Sequence, residues 1–129
     1  MEASTQVCTR VDFPIPRRRV FSAIEETGEL ELWLLRSTKG GVQLREAPEL
    51  GDFRVRVVYR QEPRLVVWSF LGVQGDAFQV SFELVPARAG CRVQATVVAN
   101  KAMLGRLSET IHSSLRKLQR LLHRPARRV

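Results

Sequence analysis

FPIPRRRVFSAIEETGELELWL, residues 13–34, decides how the rest of the chain is read. Phe13 closes a stretch in which Val7, Thr9, Val11 and Phe13 alternate with Cys8, Arg10 and Asp12, the period-2 pattern of a half-buried strand. Pro14 and Pro16 end it, because neither has an N–H to give to a ladder. Pro16 also suits the first turn of a helix, where its missing N–H would find no partner anyway. Val20, Phe21, Ala23 and Ile24 then predict a short helix with one apolar face, and Gly28 is placed to stop it. Leu30, Trp33 and Leu34 follow at i, i+3, i+4 and predict a second short helix over residues 29–34.

Downstream the texture changes to strands. Val42 and Leu44 mark a weak one, closed by Pro48 and Gly51-Asp52. Phe53, Val55, Val57 and Tyr59 alternate with Arg54, Arg56 and Arg60. Residues 65–71 are apolar on both faces. Phe78, Val80, Phe82 and Leu84 alternate with Gln79, Ser81 and Glu83, and Val93, Ala95, Val97 and Ala99 form a last strand. Turn clusters at residues 72–76 and 86–90 separate them, so the expected body is an antiparallel meander. Asn100 is a plausible N-cap for a long helix in which Leu104, Leu107, Ile111, Leu115, Leu118 and Leu122 make one apolar stripe. Pro125 stops it, and residues 124–129 read as a frayed tail.

At 129 residues the chain is read as one domain, 1–129, with an ordinary 44% hydrophobic and 26% charged content. Its longest apolar run is too short to span a bilayer. No positively charged start followed by an apolar block opens it, so a cytoplasmic setting and free thiols at Cys8 and Cys91 are expected. No Cys/His spacing suggests a metal, and no phosphate loop or paired carboxylates suggest a cofactor or hydrolytic chemistry. The formal charge of +8 invites a nucleic-acid reading. Of the 21 basic residues 18 are arginine, however, and they are scattered without a recognition motif, so a nucleic-acid partner is not expected.

The order strand, paired short helices, meander, long helix resembles the START-like superfamily (SRPBCC, including Bet v 1-like proteins and polyketide cyclases). Val11, Phe13, Pro16, Val20, Phe21, Ala23, Ile24, Leu30 and Trp33 carry the resemblance, together with Glu62-Pro63-Arg64-Leu65-Val66 and Gly90-Cys91-Arg92-Val93. It implies an α+β helix-grip fold: a curved antiparallel sheet of about six strands wrapped on the long C-terminal helix, with two short helices after strand 1. The meander reads as one strand shorter than the family's usual pattern, which would make the enclosed cavity small or partly filled. In this fold the first and last strands are antiparallel neighbours, so Cys91 is expected near Phe13 and too far from Cys8 to bridge.

The resemblance implies a small apolar or amphipathic ligand, lipid-, polyketide- or quinone-like, between sheet and helix. The alternation places Phe53, Val55, Val57, Tyr59, Phe78, Val80 and Phe82 on the inner face, opposite Leu107, Ile111 and Leu115, with Trp33 as a wall residue. Ser108 and His112, four apart at the border of the helix stripe, are candidates for a polar handle. Non-catalytic binding is the favoured reading. A cyclase or dehydratase would need His112 or Tyr59 to face the pocket with a second titratable group. A third reading, an interaction module for a ribosome or protein partner, would need Arg17–Arg19 and Arg124–Arg128 to form one patch. Only one face of residues 65–71 can look inward, so the other is expected to meet a covering segment or a second copy in a homodimer.

Overall fold

The first strand pairs with the last, and this closure organises the molecule. The computed structural model describes residues 5–73 and 75–123. Strand β1 (Thr5–Phe13) leads through Pro14–Pro16 into α1 (Arg17–Ile24) and α2 (Thr27–Leu30). Then come β2 (Leu35–Thr38), β3 (Gly41–Leu44), a 3-10 turn at Pro48–Leu50, β4 (Phe53–Gln61), β5 (Leu65–Gly72), β6 (Ala77–Ala87), β7 (Gly90–Ala99) and α3 (Lys101–His123). One antiparallel sheet has the order β1-β7-β6-β5-β4-β3-β2. It curls around α3, the helix-grip arrangement. The expected frayed tail, residues 124–129, lies outside the described residues.

The sheet has seven strands, so it is not shortened. The additional strand is β2, four residues paired with β3 from Leu35 opposite Leu44 to Thr38 opposite Gly41. The short helices also differ from the expected bounds. α1 ends at Ile24, and Gly28 does not stop it but lies inside α2, whose last residue is Leu30. Turn-type hydrogen bonds carry the chain on to Leu34, including Leu34 N–H to the Leu30 carbonyl at 2.8 Å. Asn100 caps α3 as expected, its side-chain oxygen accepting from the Met103 N–H at 3.1 Å.

The core lies between the concave face of the sheet, α1–α2 and α3. Val66, Trp68 and Phe70 of β5 face it, with Val80, Phe82 and Leu84 of β6 and Val93, Ala95 and Val97 of β7. Phe70 and Phe78 stack with ring centroids 4.3 Å apart, and Phe53 meets both edge-on. Two indoles pin the end of α1. Trp33 donates Nε1–H to the Ala23 carbonyl at 3.0 Å, and Trp68 to the Ile24 carbonyl at 2.9 Å. These carbonyls belong to the last turn, which has no intrahelical donor to meet them.

β1–β7 register puts Cys91 opposite Phe13 and Cys8 opposite Thr96. Five residues of strand, roughly 16 Å at ~3.3 Å per residue, therefore separate the thiols along the ladder. Cys8 is exposed and Cys91 buried, and burial pushes the Cys91 thiol up. A thiol reagent at neutral pH is thus expected to modify one cysteine in the native protein and the second after unfolding. Two fast native thiols would contradict the burial of Cys91.

Candidate functional site

Inner-face residues named from the alternation fall into three groups. Trp33, Phe53, Phe78, Val80, Phe82, Leu107, Ile111 and Leu115 are buried and packed together in the core. Val55, Val57, Ser108 and His112 are half-buried. Tyr59 is 51% exposed and does not face inward. The cause is a register shift between Val57, opposite Trp68, and Tyr59, opposite Val67. One extra residue, Val58, reverses the alternation. Tyr59 is thereby turned to the convex face, and Arg60 takes the concave side, where its Nε lies 3.8 Å from Glu25 Oε1.

His112 is engaged with the sheet: its Nδ1 and Thr9 Oγ1 on β1 are hydrogen-bonded at 2.5 Å. Gln119, on the same side of α3, donates to the Asp12 carbonyl at 2.5 Å. This side of the helix is therefore used to dock β1. His112 and Tyr59, the two candidate catalytic groups, are not brought together. Among the described residues no group of three or more His, Cys, Asp or Glu side chains is placed to hold a metal ion, and no helix is long and apolar enough to cross a membrane.

A cleft of ≈ 370 Å³ opens on the concave side beside the α1–α2 turn. Its walls are Glu25–Gly28 on one side and Val55, Val57 and Trp68 on the other, with Arg56 and Arg60 at the rim. Val55 and Val57 are half-buried here and Trp68 is buried, while Arg60 of β4 reaches across to Glu25 of the α1–α2 turn. A second cleft, ≈ 490 Å³, lies between α1 and the end of α3 and is lined by Pro16, Arg18, Arg19, Ser22, Ala23, Glu29 and Leu122. Of the arginine triplet at its rim, Arg18 pairs with Glu62 at 3.4 Å. Arg124–Arg128, the other half of the expected basic patch, lie outside the described residues.

Sequence reading missed the polar groups that the core does contain. Thr110 Oγ1 and Ser114 Oγ are buried and have no hydrogen-bond partner among the described residues. An unmet buried hydroxyl costs about 1–3 kcal/mol, which makes two on one helix face notable. Beside them α3 is tied to the segment after β3. Arg106 Nε donates to Glu49 Oε2 at 2.6 Å and its Nη2 to the Glu46 carbonyl at 2.5 Å, while Ser113 donates to Glu46 Oε1 at 2.5 Å. The hydrogen bond from Arg106 holds the Glu49 carboxyl below the usual carboxylate range.

On the convex face, Leu65, Val67, Ser69 and Leu71 point outward, since Val66, Trp68 and Phe70 point in. Their cross-strand neighbours are Gln61, Tyr59, Arg56 and Arg54 on β4 and Glu83, Ser81, Gln79 and Ala77 on β6. The outward surface is therefore more polar than the β5 sequence alone suggests.

No family model and no curated protein sequence matches the chain. Solved structures do. Protein MLL2253 from Mesorhizobium loti is 15% identical with a TM-score of 0.76, over 95% of this chain and 100% of that one. CalU16 from Micromonospora echinospora is 17% identical with a TM-score of 0.67, over 93% and 76%. DynU16, from the dynemicin biosynthetic locus, is 21% identical with a TM-score of 0.68, over 91% of this chain and 46% of that one. At these identities the likeness is one of fold.

Proposed function

We propose that this protein binds a small apolar or amphipathic molecule on the concave side of its sheet, in the cleft between β4, β5 and the α1–α2 turn. The observation that carries the reading is the concave cleft, where half-buried Val55 and Val57 stand beside Trp68 and face the α1–α2 turn. Its volume falls in the range of small-molecule sites, and it sets Val55, Val57 and Trp68 beside a mostly polar wall that includes Glu25, Glu26, Arg56 and Arg60, a make-up that suits an amphipathic guest. The fold is shared with CalU16 and with DynU16, the latter from a biosynthetic locus, which is in keeping with a small-molecule guest. Binding is favoured over catalysis because His112 is committed to Thr9 and Tyr59 faces the other side of the sheet.

Trp68 lines the cleft and reports on it. In a Trp33→Phe background it is the sole indole, and titration with a polycyclic phenol is expected to quench its emission saturably. Val57→Phe fills the cleft at a half-buried position without adding an indole and is expected to abolish the quenching while leaving the melting temperature within a few degrees. Phe82→Trp and Leu115→Trp act differently, since both sites are fully buried; overpacking there costs ~1–3 kcal/mol. Native mass spectrometry of freshly purified protein gives the independent check, as retained cargo appears as added mass. Saturable quenching that survives Val57→Phe would place the guest elsewhere, and no quenching by any polycyclic probe would refute the binding reading.

A further inference from the structure

Val55, Arg56 and Val57 all line the concave cleft, although successive side chains of a strand point to opposite faces. Three consecutive residues in one wall mean that β4 meets the cleft edge-on, through its backbone. The ladders agree. β3 is paired to β4 at one position, Val42 opposite Phe53, and begins at Gly41, so β4 runs on past it with no strand alongside. The register then fixes which backbone groups are free. Val73 N–H donates to the Asp52 carbonyl at 3.2 Å, beside the Phe53–Gly72 pair. Bonding alternates along an antiparallel ladder, so Arg54 and Arg56 turn their N–H and C=O to β5, while Phe53, Val55 and Val57 turn theirs away. Phe53 meets Val42 there; Val55 and Val57 have no backbone partner on that side among the described residues.

This open edge is short. The bulge at Val58 breaks the alternation at one end, and there Arg60 reaches over to the α1–α2 turn, its Nη2 donating to the Glu25 carbonyl at 3.4 Å. β3 closes the other end at Phe53. Residues 54–57, which remain, span roughly 13 Å at ~3.3 Å per residue. That length suits one residue-sized unit and is too short for a long added strand. Among the lining side chains Glu25 and Glu26 balance Arg56 and Arg60, so the seat carries no net charge to draw an ion.

We propose that the guest of this cleft is a neutral N-acylated amino-acid unit bearing an apolar ring, whose N–H and C=O pair with the open edge of β4 at Val55 and Val57 as a one-residue added strand. This rests on the binding function proposed above and gives its guest a chemical class. Such a unit carries an N–H and a C=O on either side of one carbon, as a strand residue does. Run antiparallel to β4, it exchanges both bonds with Val55 or with Val57; run parallel, it bridges the Val55 carbonyl and the Val57 N–H. The ring then lies against the side chains of Val57 and Trp68, which line the same cleft.

The test compares N-(2-naphthoyl)glycinamide with its ester analogue, in which oxygen replaces the central N–H at nearly constant shape. Calorimetry is expected to show the ester bound about three- to tenfold more weakly, the worth of one neutral hydrogen bond. Amide hydrogen exchange followed by NMR reads the edge itself. In the free protein the Val55 and Val57 amides are expected to exchange much faster than those of Arg54 and Arg56, and saturating amide probe is expected to slow at least one of the two. Val55→Pro removes an edge N–H and leaves the β5 ladder whole, so it is expected to melt well above Arg56→Pro, which removes a ladder bond. Equal affinity for amide and ester, uptake of 2-naphthol but of neither probe, slow exchange at Val55 and Val57 in the free protein, or equal damage by the two prolines would overturn the edge pairing while leaving the binding function standing. Failure of the wild type to bind 2-naphthol or either probe would remove that function and the edge pairing with it.

Discussion

Trp68→Ala is expected to destabilise the protein by about 3–5 kcal/mol, the range for removing a buried aromatic side chain. Two losses coincide at this position. The ring is 2% exposed on central strand β5, so truncation leaves a cavity the surrounding aromatics cannot collapse into. Its Nε1–H also meets the Ile24 carbonyl at 2.9 Å, and that oxygen is left unmet in the core. Trp68→Phe separates the two, because it keeps most of the packing and loses only the donor; about 1–3 kcal/mol is expected. Chemical denaturation followed by circular dichroism measures both. Near-equal losses for the two variants would show that the hydrogen bond, and not the packing, dominates, and a loss below ~1 kcal/mol for alanine would contradict the burial.

Gly90→Ala is expected to be the most damaging single-methyl change in the chain. Gly90 lies at the start of β7, where residues 13–15 cross directly over it. A Cβ there would run into the Phe13 carbonyl oxygen and the Ile15 nitrogen and lie 2.7 Å from the Ile15 carbonyl. All three are backbone atoms, so no side chain can rotate away. The methyl can be accommodated only by parting β1 from β7 near Phe13–Cys91, at a cost of ~1–3 kcal/mol or more. Gly28→Ala is the control: nothing lies within 4 Å of its Cβ, it sits inside α2, and alanine there is expected to stabilise slightly. Thermal melts of the pair decide; similar melting temperatures would mean that the crossing at Gly90 is looser than described.

The helix-grip arrangement was legible because its two defining features are periodic. Alternation marked β1, β4, β6 and β7, and the three-and-four spacing of leucines marked α3. Even the pairing of Phe13 with Cys91 followed from the implied strand order. What escaped notice lacks a period. β2 is four residues long with Leu35 as its one buried side chain, and it exists because β3 pairs with it across the Lys39–Gly40 turn. The bulge at Val58 is silent in sequence, since valine suits a strand whichever way it points. It moved Tyr59 out of the candidate site and brought Arg60 in.

The two margins of α3 could not be told apart for a related reason. A stripe of leucines fixes which side of a helix is buried but not which strands each margin meets. Ser108 and His112 lie on the margin that docks β1, and the margin facing the β3–β4 segment carries Thr110 and Ser114 instead. Only the placement of α3 across β1 and β7, together with the contacts of Arg106 and Ser113, tells the two margins apart.

Thr5 and Ala99, which face one another across the β1–β7 ladder, are 94 residues apart in the chain. The strand synthesised first is therefore the strand completed last. At a synthesis rate of about 5–20 residues per second, Thr5 waits roughly 5–20 s for its partner to be made. Through that interval Val7, Val11 and Phe13 have no ladder to join, and an unpaired apolar strand is a template for pairing with another nascent chain. A shortened chain lacking β7 would leave β1 in that state permanently, with every other strand of the sheet still able to find its neighbour. The first and last strands of the sheet thus form one unit of assembly, and damage to either is felt at the other.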